Sequence, residues 1–151
     1  MSDQPTFRYL APKPGGNSVH RAARWLTGHG VSLFGSRLLR VRGRTSGEWR
    51  TTLVNLLEVD GVKYLVAPRG HTQWVRNLRA AGSGELVLGR QVTPVRAEEL
   101  PDGEKIPILR AYLKRFGWEV GMFFDNLDKN SPDEDLGEAA PGFPAFRLSV
   151  P

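Results

Sequence analysis

The sequence predicts an α+β fold, a small barrel of about six mostly antiparallel strands with helices packed around it. Three observations carry this. Short runs rich in Val, Leu and Thr recur along the chain, most of them bounded by Gly, Pro or Asp. Asp60-Gly61 falls between two such runs, and both positions suit the positive φ of a tight hairpin turn. Between the strand runs lie stretches with apolar residues at helical spacing, short enough to pack on the outside of a sheet.

In chain order, residues 1–16 carry Pro5, Pro12, Pro14, Gly15 and Gly16 and read as a flexible N-terminal segment; residues 17–151 read as a single domain. Ser18 caps an expected short helix, Val19 to Thr27. Leu38 to Arg42, Thr51 to Val59 and Val62 to Ala67 are three strands in succession. Pro68-Arg69-Gly70-His71 makes a turn, Thr72 is the expected N-cap, and Trp74 to Ala81 is a helix with Trp74 and Leu78 on one face. Arg76 and Arg79 read as solvated helix charges and His71 as a surface or capping residue. Glu85 to Leu88 and Gln91 to Ala97 pair around Gly89-Arg90, and Pro94 places the second at an edge or bulge. A helix around Pro107 to Phe116 buries Ile108, Leu109, Tyr112 and Phe116 and stops at Gly117. Gly121 to Phe124 is an apolar patch, Ser131 to Gly142 an acidic loop, and Phe143 to Val150 a last strand with Phe146, Leu148 and Val150 alternating.

The 151 residues hold 21 Lys+Arg against 16 Asp+Glu, and 16 of the 21 are arginine. Residues 1–96 carry a balance of +10 and residues 97–151 a balance of −5. Arginine suits planar, bidentate recognition of carboxylate and phosphate, so the first two-thirds of the chain points to an anionic partner. Zero Cys excludes disulfides and fits a reducing cytoplasm. Met1-Ser2-Asp3 opens no apolar signal region, and no apolar run is long enough to span a bilayer. The expected location is cytoplasmic, with peripheral membrane contact through the N-terminal segment left open.

The stretch Gly43-Arg44-Thr45-Ser46-Gly47, with Arg42 before it and Arg50-Thr51 after it, concentrates guanidinium forks, hydroxyls and glycine-freed amides. That set of donors marks the loop as an anion-binding element, with solvated loop charges as the competing reading of Arg44 and Arg50. Other chemistries are poorly served. Three His and no Cys offer no metal-ligand spacing, so no metal is expected. Ser46 lacks a nucleophile elbow, and the glycine-rich loop lacks the Lys-Ser/Thr and following helix of a phosphate-binding loop. A site rich in anion donors and poor in acid–base groups takes its reactive atom from a cofactor.

Two stretches resemble the deazaflavin-dependent nitroreductase and quinone reductase family, split β-barrel (FMN-binding-like) proteins that bind coenzyme F420. Gly43-Arg44-Thr45-Ser46-Gly47 with Arg50 and Leu53 is similar to its first signature. Ala67-Pro68-Arg69-Gly70 followed by Trp74-Val75-Arg76-Asn77-Leu78 is similar to its second. Thr52 stands where the family commonly has proline, and Pro68 where it has serine. The likeness is strong over residues 37–100 and loose elsewhere. It implies an F420H2-dependent oxidoreductase that moves a hydride to a quinone, nitroaromatic or enone. It also implies cofactor contacts at Arg42, Arg44, Thr45, Ser46, Gly47, Arg50, Thr51, Ala67, Pro68, Arg69, Gly70, Trp74, Asn77 and Leu78. Ser46, Thr45 and the amides near Gly47 would cradle the phosphate, while Trp74 and Asn77 would meet the deazaflavin or its linker.

Tyr112, Phe123 and Phe124 are candidates for an acceptor pocket, though aromatic residues at such spacing also build cores. The implied partners are the small-molecule acceptor and a second copy of the chain in a homodimer. Within the same fold FMN or haem are alternative cofactors. The alternative functions are a non-catalytic F420 or lipid carrier and a basic nucleic-acid-binding module; no nucleic acid is expected, because the aromatics do not interleave with the basic residues.

Overall fold

The computed structural model describes residues 35–120, 124 and 127–151, with the backbone alone at 118–120. The expected N-terminal segment, the helix Val19 to Thr27, and Gly121 to Phe123 lie outside the described residues. Six strands close into a barrel: β1 (Ser36–Arg42), β2 (Trp49–Val59), β3 (Val62–Val66), β4 (Ser83–Leu88), β5 (Gln91–Glu99) and β6 (Ala145–Ser149). Their order around the barrel is β1-β2-β3-β6-β5-β4, and every neighbouring pair is antiparallel. Three helices join them: α1 (Gln73–Ala81), α2 (Ile106–Val120) and α3 (Asp133–Ala139).

Strand alternation divides the apolar residues into two cores. Leu39, Val41, Val54, Leu65, Leu86, Val95, Phe146 and Leu148 point inward, and α1 packs Val75 and Leu78 onto this interior. Their neighbours Leu57, Val66 and Ala145 point outward, beneath the stripe Ile108, Leu109, Tyr112, Leu113 and Phe116 of α2. The β2–β3 hairpin turns at Asp60 (φ 51°) and Gly61 (φ 80°), the left-handed pair expected there. At Pro94, β5 has Glu85 of β4 on one side, while its pairing with β6 begins only at Arg96; proline therefore sits at a local edge.

Three expectations fail. The helix does not stop at Gly117 but runs to Val120. A glycine inside a helix costs only about 1 kcal/mol, and the buried Phe116 anchor outweighs it. The acidic loop 131–142 contains α3: Asp133, Glu134 and Asp135 occupy its first turn, where the helix dipole favours them, and Leu136 anchors it in the outer core. The last strand ends at Ser149, leaving Val150 85% exposed rather than on the core face. Among the described residues no helix is long and apolar enough to cross a membrane.

Candidate functional site

The β1–β2 hairpin carries the loop Gly43 to Glu48 over the N-terminal half of α1. Cross-strand neighbours share a face, so Arg50, opposite the inward Val41, extends the inward row to the barrel mouth. Trp49 lies on the outer face opposite Arg42. The loop satisfies its own backbone: Gly43 N–H donates to Glu48 O at 2.8 Å, Gly47 N–H to Gly43 O at 2.9 Å, and Glu48 N–H to Ser46 Oγ at 3.1 Å. Gly47 adopts φ 74°, and a Cβ on Gly43 would stand 2.9 Å from Ser46 Oγ, so both glycines are dictated by this turn.

Arg44 joins the two predicted stretches. Its backbone N–H donates to Asn77 Oδ1 at 3.1 Å, and its Nη1 donates to Asn77 Oδ1 at 2.8 Å and to Gln73 Oε1 at 3.0 Å. Asn77 is buried beneath this contact; Arg44 is exposed above it. Arg50 reaches Ser46 Oγ with Nη2 at a long 3.5 Å, a marginal bond that leaves the guanidinium otherwise available among the described residues. Thr45 and Ser46 are exposed beside it.

Other predicted contacts are placed elsewhere. Arg42 turns to the outer face, where its guanidinium lies 4.2 Å from the Trp49 ring centre and donates to Gly47 O at 3.0 Å. Alternation puts Thr51 on that same outer face. The Gly47 amide, expected in a phosphate cradle, is already bonded to Gly43. Ala67 and Leu78 are core residues, with the Ala67 N–H held by Pro144 O at 2.9 Å. Gly70 is buried at φ 88° inside the turn, flanked by half-buried Pro68 and Arg69. Trp74 is half-buried against the barrel interior, its ring 6.1 Å from that of Phe146. Tyr112 and Phe124 are core residues: both are fully buried in the outer core, with Phe124 stacked on Phe143 at 4.2 Å. Phe123 lies outside the described residues.

The far side of α1 departs further from expectation. His71 is buried rather than superficial, and Arg79 is paired rather than solvated. His71 Nε2 donates to Pro141 O at 3.1 Å, which leaves Nδ1 bare to accept from Arg79 Nη2 at 3.2 Å. Arg79 grips Glu99 with Nε and Nη2 at 2.6 and 2.7 Å. Arg76 Nε donates to His71 O at 3.0 Å. Burial, the largest influence, pushes the His71 imidazole below its ordinary value despite the Pro141 hydrogen bond; the neighbouring Arg79 acts in the same direction.

Thr72 takes the N-cap position of α1 without a side-chain cap bond, and its buried Oγ1 has no hydrogen-bond partner among the described residues. Sequence reasoning missed Gln73, whose i, i+4 spacing from Asn77 was the available signal.

Concavity alone does not mark the site. A cleft of about 450 Å³ lies between α2 and α3, lined by Ile106, Pro107, Arg110, Ala111, Lys114 and Asp133. A second, of about 370 Å³, follows the outer face past Arg42, Trp49 and Arg96. Neither includes Arg44 or Arg50. The donor set does mark it: uncommitted guanidinium edges, two hydroxyls, and a helix whose first turn has no acidic residue. That set fits a ligand with phosphate and carboxylate groups. Among the described residues no cluster of His, Asp and Glu is arranged for a metal ion.

The sequence model of a family described as F420H(2)-dependent quinone reductase matches residues 17–117. No curated protein matches the chain. Solved structures do. One described as a domain-swapped dimer is 19% identical, with 87% of this chain and 96% of that one covered, at a TM-score of 0.54. An F420-H2 dependent reductase (FDR-A) is 20% identical, covering 76% and 94%, at 0.51. A FAD-binding protein from Mesorhizobium loti is 17% identical, covering 89% and 90%, at 0.50. At these identities the likenesses establish the split-barrel fold.

Proposed function

The chain belongs to the F420H(2)-dependent quinone reductase family, oxidoreductases that depend on the deazaflavin coenzyme F420, and from this we propose that the hairpin–α1 junction grips that coenzyme for reduction of a quinone, nitroaromatic or enone. When bound, the reduced coenzyme supplies a hydride. The chain's own residues then bind and orient. Arg44, Arg50 and Arg69 neutralise the phosphate and glutamate carboxylates, Thr45 and Ser46 add hydroxyl bonds, and Trp74 borders the ring. The observation that carries this reading is the Arg44 guanidinium, held on α1 through Nη1 while its Nε and Nη2 have no partner among the described residues. With the hydride supplied by the coenzyme no protein nucleophile is required, and the chain works by holding two rings at attack distance and keeping water out. A homodimer belongs to the same proposal, supported by the matched structure described as a domain-swapped dimer.

The test is a fluorescence titration of the full chain with oxidised F420, for which a micromolar dissociation constant is expected; absence of binding overturns the proposal. Mixing with reduced F420 and a panel of quinones, nitroaromatics and enones should then restore the oxidised coenzyme's visible absorbance. Tight binding with no acceptor oxidising it would mark a carrier, and a yellow or red purified protein would favour FMN or haem.

A further inference from the structure

We infer that Asn77 and Gln73 are positioning residues that hold Arg44 so that its Nε–Nη2 edge takes an oxyanion of the coenzyme side-on. This rests on the proposed coenzyme site and gives Asn77 a different role from direct contact with the deazaflavin. A guanidinium has five N–H donors, two of them on Nη1. Both Nη1 hydrogens are used, one by Gln73 Oε1 at 3.0 Å and one by Asn77 Oδ1 at 2.8 Å. The Asn77 oxygen is itself saturated, because its second lone pair takes the Arg44 backbone N–H at 3.1 Å. It has none left for a ligand.

The clamp blocks end-on approach through Nη1 and leaves Nε and Nη2 without a partner among the described residues. That remaining edge matches the two oxygens of a carboxylate or phosphate. The same protein shows what such an edge does: Arg79 presents Nε and Nη2 to Glu99 at 2.6 and 2.7 Å. Arg44 has the same edge, and no acid lies opposite it among the described residues. The amides that hold it are neutral, so its full charge remains for the ligand, and burial of Asn77 fixes the orientation before binding.

The experiment is a fluorescence-detected binding cycle on the full chain with oxidised F420, alongside thermal melting of each variant. Arg44→Lys, which keeps the charge and loses the planar fork, is expected to weaken binding about tenfold or more. Asn77→Leu should cost about tenfold and Gln73→Met about threefold. In the Arg44→Lys background both should cost less than about twofold, since the residue they act through is gone. If either keeps its full cost there, the amide touches the coenzyme or acts on the fold generally, and the inference is overturned. Should Asn77→Leu fail to fold, the exposed Gln73 carries the cycle alone.

Repeating Arg44→Lys with coenzyme stripped of its glutamates, and then of its phosphate as well, identifies the oxyanion. Loss of the effect at the first step means a carboxylate, and at the second the phosphate. An effect that survives both overturns the inference. If wild-type protein does not bind F420 at all, the proposed function fails with it; binding with additive variants sinks the inference alone.

Discussion

Arg44, docked on α1 from the hairpin loop, and Arg79, in the last turn of α1, offer the same chemistry, yet the structure uses them in opposite ways. Arg79 is closed: its Nε–Nη2 edge is on Glu99, and a further Nη2 hydrogen is on His71. Arg44 is open: two neutral amides take one nitrogen, and Nε and Nη2 have no partner among the described residues. The difference lies in the neighbours. β5 supplies Glu99 beside Arg79, whereas no acid side chain pairs with Arg44 among the described residues. An arginine whose counter-charge is built in ties elements together, and one held in place without a counter-charge awaits a partner. Composition counts both alike.

The largest expected effects test the open side. Arg44→Ala and Arg50→Ala should each remove a charge-assisted contact and weaken F420 binding by about 1.5–3 kcal/mol. Their melting should shift little, because both side chains are exposed and exposed charges contribute under about 1 kcal/mol to folding. An unchanged dissociation constant in either variant would return that arginine to the class of solvated loop charges. Equal loss in melting and binding would show that the contrast with Arg79 is false.

The next effect tests the closed side. Arg79→Met keeps the aliphatic stem but removes the fork from Glu99 and the donor from His71 Nδ1. Chemical denaturation should show a loss of about 1–2 kcal/mol, a range lowered because the Arg79–Glu99 pair is partly exposed. F420 affinity should stay within about threefold of wild type. A variant that folds normally but binds poorly would make Arg79 part of the site.

How much of this was legible follows the range of each interaction. The barrel strands and the Asp60-Gly61 turn are written in local alternation and turn chemistry, and they form there with shifted ends: β2 starts at Trp49 rather than Thr51, and β6 is Ala145–Ser149 rather than Phe143 to Val150. The meeting of the Gly43–Gly47 loop with the Trp74–Leu78 stretch was legible as two matching signatures, but not as the Arg44–Asn77 bond, which spans 33 positions. Arg42 and Arg44 sit in one motif, yet Arg42 is the last residue of β1 and faces Trp49, whereas Arg44 lies past the strand end in the loop that reaches Asn77. Tyr112 and Phe124 could not be assigned from spacing, because a core and a pocket wall ask for the same aromatics; only the Phe143 ring stacked on Phe124 decides it. His71 looked superficial because what buries and bonds it, Pro141 O above all, comes from a segment 70 positions away, and Arg79 reaches it from the far end of α1. α3 was hidden by composition: Asp133, Glu134 and Asp135 raise acidity like a loop while placing charge where a helix start wants it.

The smallest effect tests whether the His71 side of α1 is as closed as its hydrogen bonds make it. In the unfolded chain the imidazole takes its proton near the ordinary 6.5. In the folded protein burial holds it neutral to lower pH, with Arg79 and Lys105 opposing the charge and the Pro141 carbonyl and Glu99 favouring it. Between those two values the unfolded chain binds more protons, so stability falls as pH drops below about 6.5 and is flat with respect to this group above it. For one proton the slope is at most about 1.4 kcal/mol per pH unit. Carboxylates titrate at the lower end of the same range, so the measurement is the difference between wild type and His71→Gln, which keeps a donor for Pro141 O. Urea midpoints between pH 5 and 8 should run parallel above about 6.5 and diverge below it, with wild type losing more. Parallel lines throughout would mean the imidazole accepts its proton as readily in the fold as in water, and the Arg79–His71–Pro141 chain would then be open to solvent like its counterpart across the helix.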